Sequence, residues 1–297
     1  MRLLADAPPH LQMTWHVALA VAVACAGLSA AVQLTRRRWA VLAQALREVA
    51  IVVGLFGMWQ VVRVYAITQV AGGMANGDAV WRAERALRLP SEAWVQRLAL
   101  PHPTLVQAAN LYYLYLHFTG MTVFLVWLFL RHREHYARWR TTLVLVTAAC
   151  LAVQFVPVAP PRFLAYRGLV DTAVEYGQSV YGRMNTGIAD QLSAMPSVHF
   201  AWAALIAAAV VAVTRSRWRW LALAHPVLTL YAIVVTANHY WLDAAAAGAL
   251  LALALLAQRA ADGLTTRRVA TRLAVLPEAG LPFEPPVDEP AIPRSGS

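Results

Sequence analysis

Long apolar runs alternate with short arginine-rich ones along most of this chain. Positions 13–35 carry no formal charge and end at Arg36, Arg37 and Arg38. A helix needs about 20 apolar residues to cross a bilayer, so this run reads as a first span. The small-residue-rich segment Leu28-Ser29-Ala30 would suit a cleaved leader, but a triple arginine directly after a long run reads as a retained anchor. Further spans are expected at about 48–70, 108–130, 141–158, 197–214, 220–237 and 241–258. Between the second and third, Gly72, Gly73 and Gly77 predict a helix break. The stretch 78–100 then alternates apolar and charged residues at helical spacing, with Pro90 in its middle. It is too polar to span and predicts helices lying in the interface. The stretch 163–192 is a mixed polar loop suited to cap a site. From 276 onward the chain is Pro-rich and acidic, the composition of a disordered tail.

The pattern predicts an all-α polytopic membrane bundle of six to seven spans, with interfacial helices on the extracytoplasmic side. It divides the chain into an N-terminal span with its Arg loop (1–47), a membrane-embedded domain (48–260) and a cytoplasmic tail (261–297). Composition agrees: 60% of residues are apolar and 13% charged, against about 25% charged in soluble domains. The net charge of +10 is carried by Arg alone, since the chain has no Lys. These arginines crowd the loops 36–47, 131–140 and 215–219 and the segment 259–272, as the positive-inside rule requires of cytoplasmic connections. The charge therefore argues for a multi-pass cell-membrane protein and against a nucleic-acid partner. Cys25 and Cys150 sit in apolar runs without metal-ligand or disulfide spacing.

Against this background His239 and Asp243 stand out. Ionisable residues in membrane-embedded sequence are costly and mark functional sites. At i and i+4 they share a helix face, so the carboxylate can hold the imidazole. The alternative is a hydrogen bond that only fixes helix packing. With seven spans and the N-terminus outside, four features fall on one membrane face. They are Arg162 after span four, His199 at the start of span five, and His239 with Asp243 between spans six and seven. Arg162 offers a fork of donors to phosphate oxygens. Ser197 opens a helix whose N-terminus favours an anion. Of two histidines, one can act as nucleophile and one as acid. No carboxylate pair or Cys/His cluster has metal-ligand spacing, so no metal or other cofactor is expected, and Arg and the helix dipole must stabilise charge. Phosphoryl transfer through a phosphohistidine fits this set. Asn110, Tyr113 and His117, at i, i+3 and i+7, are expected on one further face.

The segments APPR (159–162), AMPSVH (194–199) and HYWLD (239–243) resemble the type 2 phosphatidic acid phosphatase superfamily. They look most like its inositol phosphorylceramide synthase branch, the aureobasidin-target inositolphosphotransferases. The similar region runs from about 71 to 260. ERALRLPSEAWVQ and the residues Asn110, Tyr112, Tyr113 and His117 resemble that branch less specifically. The resemblance implies His239 as nucleophile, Asp243 as its partner, His199 as general acid and Arg162 as phosphate ligand. Three departures stand beside it. Phe155 replaces a Lys seven residues before the first-motif Arg. Val198 replaces a Gly before the His. Ile233 replaces an Arg six residues before the nucleophile. Arg183 and Arg63 are the candidate replacements for the missing cations.

The expected substrate is a membrane lipid phosphate, with a lipid or glycan hydroxyl as acceptor if the enzyme transfers, or water if it hydrolyses a polyprenyl or phosphatidyl phosphate. A proton-coupled transporter would spread ionisable groups along a path through the bilayer, whereas here they cluster at one surface. A non-catalytic lipid-binding scaffold would not need the full His–Asp–His set.

Overall fold

Apolar runs without interior proline wind into long helices, and the chain changes direction where proline or charge interrupts them. The computed structural model describes residues 14–35, 39–179 and 191–275. Its helices are α1 (Trp15–Thr35), α2 (Ala40–Ile67), α3 (Val70–Ala86), α4 (Glu92–Ala99), α5 (Pro103–Leu111), α6 (His117–Arg131), α7 (Arg133–Val153), α8 (Thr172–Glu175), α9 (Val198–Val213), α10 (Ala224–Val235) and α11 (Trp241–Val275). A π-helical turn, Tyr112–Leu116, joins α5 to α6, and a 3-10 stretch, Arg217–Leu223, leads into α10. Among the described residues there is no strand, only an isolated bridge between Val158 and Ser193.

Each of the seven expected spans overlaps helical structure, although 108–130 crosses α5, the π-helical turn and α6, 141–158 runs past the end of α7, and 220–237 begins in the 3-10 stretch before α10. Among the described residues, five segments are long and apolar enough to cross a membrane: Trp15–Leu34, Ala40–Ala66, Pro103–Arg131, Arg217–Val235 and Trp241–Gly263. The other two are α9, apolar but only 16 residues long, and α7, whose first turns are charged. The chain divides into two compact units, up to Leu255 and from Leu256 onward. Helix α11 stays helical to Val275, beyond position 261, where a tail is expected; residues 276–297 lie outside the described residues.

Helices α6, α7, α9 and α11 share one apolar core around Phe124, Leu128, Val146, Leu205 and Leu251. Ala201, Ala203, Ala207 and Ala209 give α9 a buried small-residue surface, which lets neighbouring backbones approach closely. Helices α1 and α2 pair along their length, and the Ser29 hydroxyl donates to the Ala43 carbonyl at 2.6 Å. Arg140 of α7 pairs with Glu48 of α2.

Two local expectations are corrected. The glycines at 72, 73 and 77 do not break a helix, since α3 runs through them. Gly73 and Gly77 serve close packing instead. A Cβ on Gly77 would lie 2.7 Å from the Ala159 carbonyl oxygen and 3.0 Å from the Tyr240 hydroxyl. The Gly73 carbonyl accepts the Ala159 N–H at 2.9 Å, and the Asn76 amide donates to the Pro157 carbonyl at 2.9 Å. The arginine-rich loop at 131–140 shrinks to His132, because α7 starts at Arg133; its residues are mostly good helix formers with no proline or glycine to stop them.

Candidate active site

The first local element of the site is the turn between α10 and α11. The Ile233 carbonyl accepts the N–H groups of Asn238 at 2.9 Å and His239 at 3.2 Å. Ala237 takes φ +52°, a left-handed conformation uncommon outside glycine. The Asn238 amide donates to the Thr236 hydroxyl at 2.6 Å. Asn238 and His239 are thereby held just ahead of α11.

Asp243 sits in the first turn of α11. Its Oδ2 accepts the Tyr240 N–H at 2.9 Å, the carboxylate reaching back to the residue before the helix as in a capping box. The same oxygen lies 3.2 Å from His239 Nδ1. Nδ1 also lies 2.7 Å from the Ala194 carbonyl oxygen. A carbonyl only accepts, so Nδ1 carries the hydrogen and the lone pair of the neutral ring is on Nε2. Nε2 is buried without a hydrogen-bond partner.

Ala194 belongs to a segment stitched to its surroundings by backbone bonds. Val158 N–H donates to Leu192 at 2.8 Å, and Ala194 N–H donates to Val158 at 3.1 Å. This segment leads into Ser197, which caps α9 by accepting the Phe200 N–H on its hydroxyl at 3.3 Å. Ser197 is completely buried, and its N–H donates to the Asp243 carbonyl at 3.2 Å. His199 follows in the first turn of α9, with its ring centroid 5.7 Å from that of His239.

The π-helical turn supplies the facing wall. Tyr113 stacks on His199 at 4.1 Å and lies 6.2 Å from His239. His117 lies 4.0 Å from His199 and stacks on Trp202 at 4.3 Å. Both residues are therefore part of the cluster. Asn110, expected on the same face, is not. Its side chain binds Thr172 at 3.0 Å and Gln178 at 2.8 Å, because the intervening π-turn shifts the register. A pocket beside the cluster is bounded by Tyr112, Ile206, His225, Thr229, Ala232 and Ile233. Tyr112 hydroxyl lies 2.6 Å from His225 Nδ1.

Arg162 enters through the stretch before it. Its N–H donates to the Ala237 carbonyl at 2.9 Å, and the residue is 7% exposed. Its guanidinium donates to the Asn238 and Gln191 carboxamide oxygens, and its Nε lies 3.3 Å from Asp171 Oδ2. The arginine thus reaches the residue next to His239 with its fork already bound by acceptors. Arg183 lies outside the described residues, and of Arg63 only the backbone, in α2, is described.

The three departures from the family pattern have separate surroundings. Phe155 is 39% exposed and packs on Tyr65. Ile233 is fully buried under the α10–α11 turn. Val198 is the first residue of α9. Reading by motif missed Asn238, Gln191 and Asp171, the partners of Arg162, and the Ala194 carbonyl behind His239. Asn238 adjoins the HYWLD segment and could have been flagged by that position. The others carry no local signal, since their role comes from chain crossing.

Among the described residues, no group of three or more His, Cys, Asp or Glu side chains is placed to hold a metal ion. Neither the curated proteins nor the solved structures contain a match to this chain. The family profile described as PAP2 superfamily does match, over residues 78–257, a region that includes Arg162, the α9 start and the α10–α11 turn. That is more than half of the chain, and it belongs to the PAP2 superfamily, a helical membrane family of phosphatases and phosphotransferases.

Proposed function

We propose that this chain works on a membrane lipid phosphate through a phosphohistidine at His239. The observation that carries the reading is one imidazole ring. Its Nδ1 is held by Asp243 and Ala194, while its Nε2 is buried and without a hydrogen-bond partner. A tautomer fixed in this way has the free lone pair of a nucleophile, with a carboxylate ready to stabilise the imidazolium.

In the first step Nε2 attacks phosphorus. The N–P bond forms, the P–O bond to the leaving group breaks, and His199 gives its proton to the departing alkoxide. In the second step an acceptor hydroxyl passes its proton to His199 and attacks phosphorus, and the N–P bond breaks. Phosphate oxygens take the places of the Asn238 and Gln191 oxygens on the Arg162 guanidinium. The N-terminus of α9, capped by Ser197, adds its positive dipole end. Charge stabilisation comes from these groups without a metal.

The acceptor is a hydroxyl on an amphiphilic molecule, so the enzyme is a phosphotransferase. The resemblance to the inositol phosphorylceramide synthase branch supports this and makes inositol phosphate the group to test first. Hydrolysis of a polyprenyl or phosphatidyl phosphate is the same chemistry with water as acceptor. The arginine-rich connections lie between the other helix ends, which supports an extracytoplasmic active site in the cell membrane.

Purified protein incubated with lipid phosphates and phosphatidylinositol, with and without acceptor lipids, separates these readings by product mass. A new phosphodiester identifies a transferase and free phosphate a hydrolase. An acid-labile labelled phosphoenzyme is expected in the wild type and in His199→Ala under conditions that trap it. It is expected to be absent in His239→Ala. Turnover persisting in both histidine variants overturns the mechanism.

A further inference from the structure

Four ring-bearing side chains from two separate elements interleave beside His239. Tyr113 lies in the π-helical turn and His117 opens α6. His199 and Trp202 stand at i and i+3 near the start of α9, a spacing that puts both on one helix face. The His199 ring lies 4.1 Å from the Tyr113 ring at an angle of 21°, and 4.0 Å from the His117 ring at 34°. Two rings this close and this nearly parallel to a third would overlap if they shared one of its faces, so they cover opposite faces. His117 is gripped in the same way, since Trp202 stacks on it at 4.3 Å and 14°. The order through the stack is Tyr113, His199, His117, Trp202, alternating between the two elements. Its Trp202 end is anchored. The indole donates to the Thr147 hydroxyl of α7 at 2.9 Å, and Phe118 meets the ring edge-on at 5.9 Å.

Face contacts constrain a flat ring differently from hydrogen bonds. An imidazole pinned between two rings can turn within its own plane, but tilting drives its edge into one of them. Both nitrogens lie on that edge, so the stack sets the plane in which a proton moves. His239 is the next ring over, 5.7 Å from His199 and 6.2 Å from Tyr113. General acid catalysis needs the proton within hydrogen-bond reach of the departing oxygen, and a misplacement of about 1 Å costs about 10²-fold. With either neighbouring ring removed, His199 gains room to tilt.

We propose that Tyr113 and His117 are positioning residues for the general acid: their rings clamp His199 on both faces and fix the plane in which it gives and takes a proton beside His239. The effect on turnover rests on the phosphohistidine reading, whereas the clamp itself does not.

The test uses the full chain in detergent and compares wild type with Tyr113→Leu, Tyr113→Phe, His117→Leu and His117→Phe. The first measurement is nuclear magnetic resonance of isotope-labelled histidine without substrate, the His199 signal being assigned by its loss in His199→Gln. Ring currents from two covering faces are expected to hold the His199 ring protons upfield of the ordinary imidazole position. Each leucine variant should move them downfield, and each phenylalanine variant should leave them in place. The second measurement is the rate of phosphoenzyme formation. From phosphatidate, either leucine variant is expected to lose about 10²-fold in that rate with little change in half-saturating concentration, as for a misplaced catalytic group. The phenylalanine variants should stay within about fivefold of wild type, because they restore the ring face without the hydroxyl or the imidazole nitrogens. From 4-nitrophenyl phosphate, whose leaving group departs without a proton, the leucine variants should fall within about tenfold of wild type.

An ordinary His199 position in wild type, or an unmoved one in both leucine variants, overturns the clamp. Wild-type rates in folded leucine variants leave the stack as helix packing alone and overturn the positioning role. So does an equal loss with the two leaving groups. A loss in the phenylalanine variants as large as in the leucine variants overturns it in favour of a polar contact with substrate. If the His199 signal behaves as expected while wild type forms no phosphoenzyme, the reading of His239 fails and the clamp stands.

Discussion

His239 Nδ1 lies closer to the Ala194 carbonyl oxygen, at 2.7 Å, than to the Asp243 carboxylate, at 3.2 Å. The tautomer is thus held twice, once by a backbone carbonyl that no side-chain substitution removes. Where a carboxylate alone fixes the tautomer, its conversion to an amide costs about 10⁴ in kcat. Here Asp243→Asn is expected to cost less, about 10²-fold, because the carbonyl still selects the tautomer and only the charge is lost. Asp243→Ala also frees the Tyr240 N–H and should lose about 1 kcal/mol of stability besides. Steady-state rates and chemical unfolding measure both, and a loss near 10⁴ for Asp243→Asn would count against the double hold.

Arg162 serves three acceptors at once: Asp171, Asn238 and Gln191. A lysine ammonium keeps the charge but not the planar fork. Arg162→Lys is expected to raise KM for the phosphate substrate at least about tenfold. It should lower stability by about 2–4 kcal/mol, since buried acceptors lose their partner. A substitution that changes KM but leaves the unfolding curve unmoved would show that these contacts carry no structural weight.

Ala237 holds φ +52° while its carbonyl accepts the Arg162 N–H and its methyl is buried. A β-branched side chain cannot take this backbone conformation without strain. Ala237→Val is expected to cost about 2–3 kcal/mol. Ala237→Gly should fall within about 1 kcal/mol of wild type, as relief of the left-handed backbone offsets the lost methyl. Thermal unfolding of the pair decides this, and a milder effect for valine than for glycine contradicts it.

Gly77 and Gly72 lie in the same helix with different surroundings. An added methyl at 77 meets the Ala159 carbonyl oxygen at 2.7 Å, whereas at 72 its nearest neighbour is 4.0 Å away. Gly77→Ala is expected to destabilise by about 1–3 kcal/mol and to disturb the Tyr240–Ala159 hydrogen bond. Gly72→Ala should instead stabilise by up to about 1 kcal/mol, through better helix propensity and a less free unfolded chain. Midpoints shifting in the same direction for both would remove the distinction.

The sequence by itself determined the helical membrane architecture. Twenty-residue apolar runs have few stable solutions in a bilayer other than helices that satisfy their own backbone. It also pointed to the Asp243–His239 pairing, but not by the expected shared helix face: His239 lies in the turn ahead of α11, and Asp243 in the first helical turn reaches back to it. Motif spelling carried the family and pointed to His199 and Arg162. It misread Gly72, Gly73 and Gly77 as breakers, because a glycine inside a helix is spelled like one that ends it.

Tertiary structure alone decided what surrounds those groups. The Ala194 carbonyl on His239 comes from a segment 45 residues away along the chain, and Gln191 and Asp171 reach Arg162 from separate stretches. Glu84 and Glu92 lie in a stretch whose alternation of charged and apolar residues suggests a solvated interfacial face, yet both are buried against the start of α11. Local periodicity reports which face of a helix is apolar. It holds no record of which polar groups on the other face meet the end of a second helix.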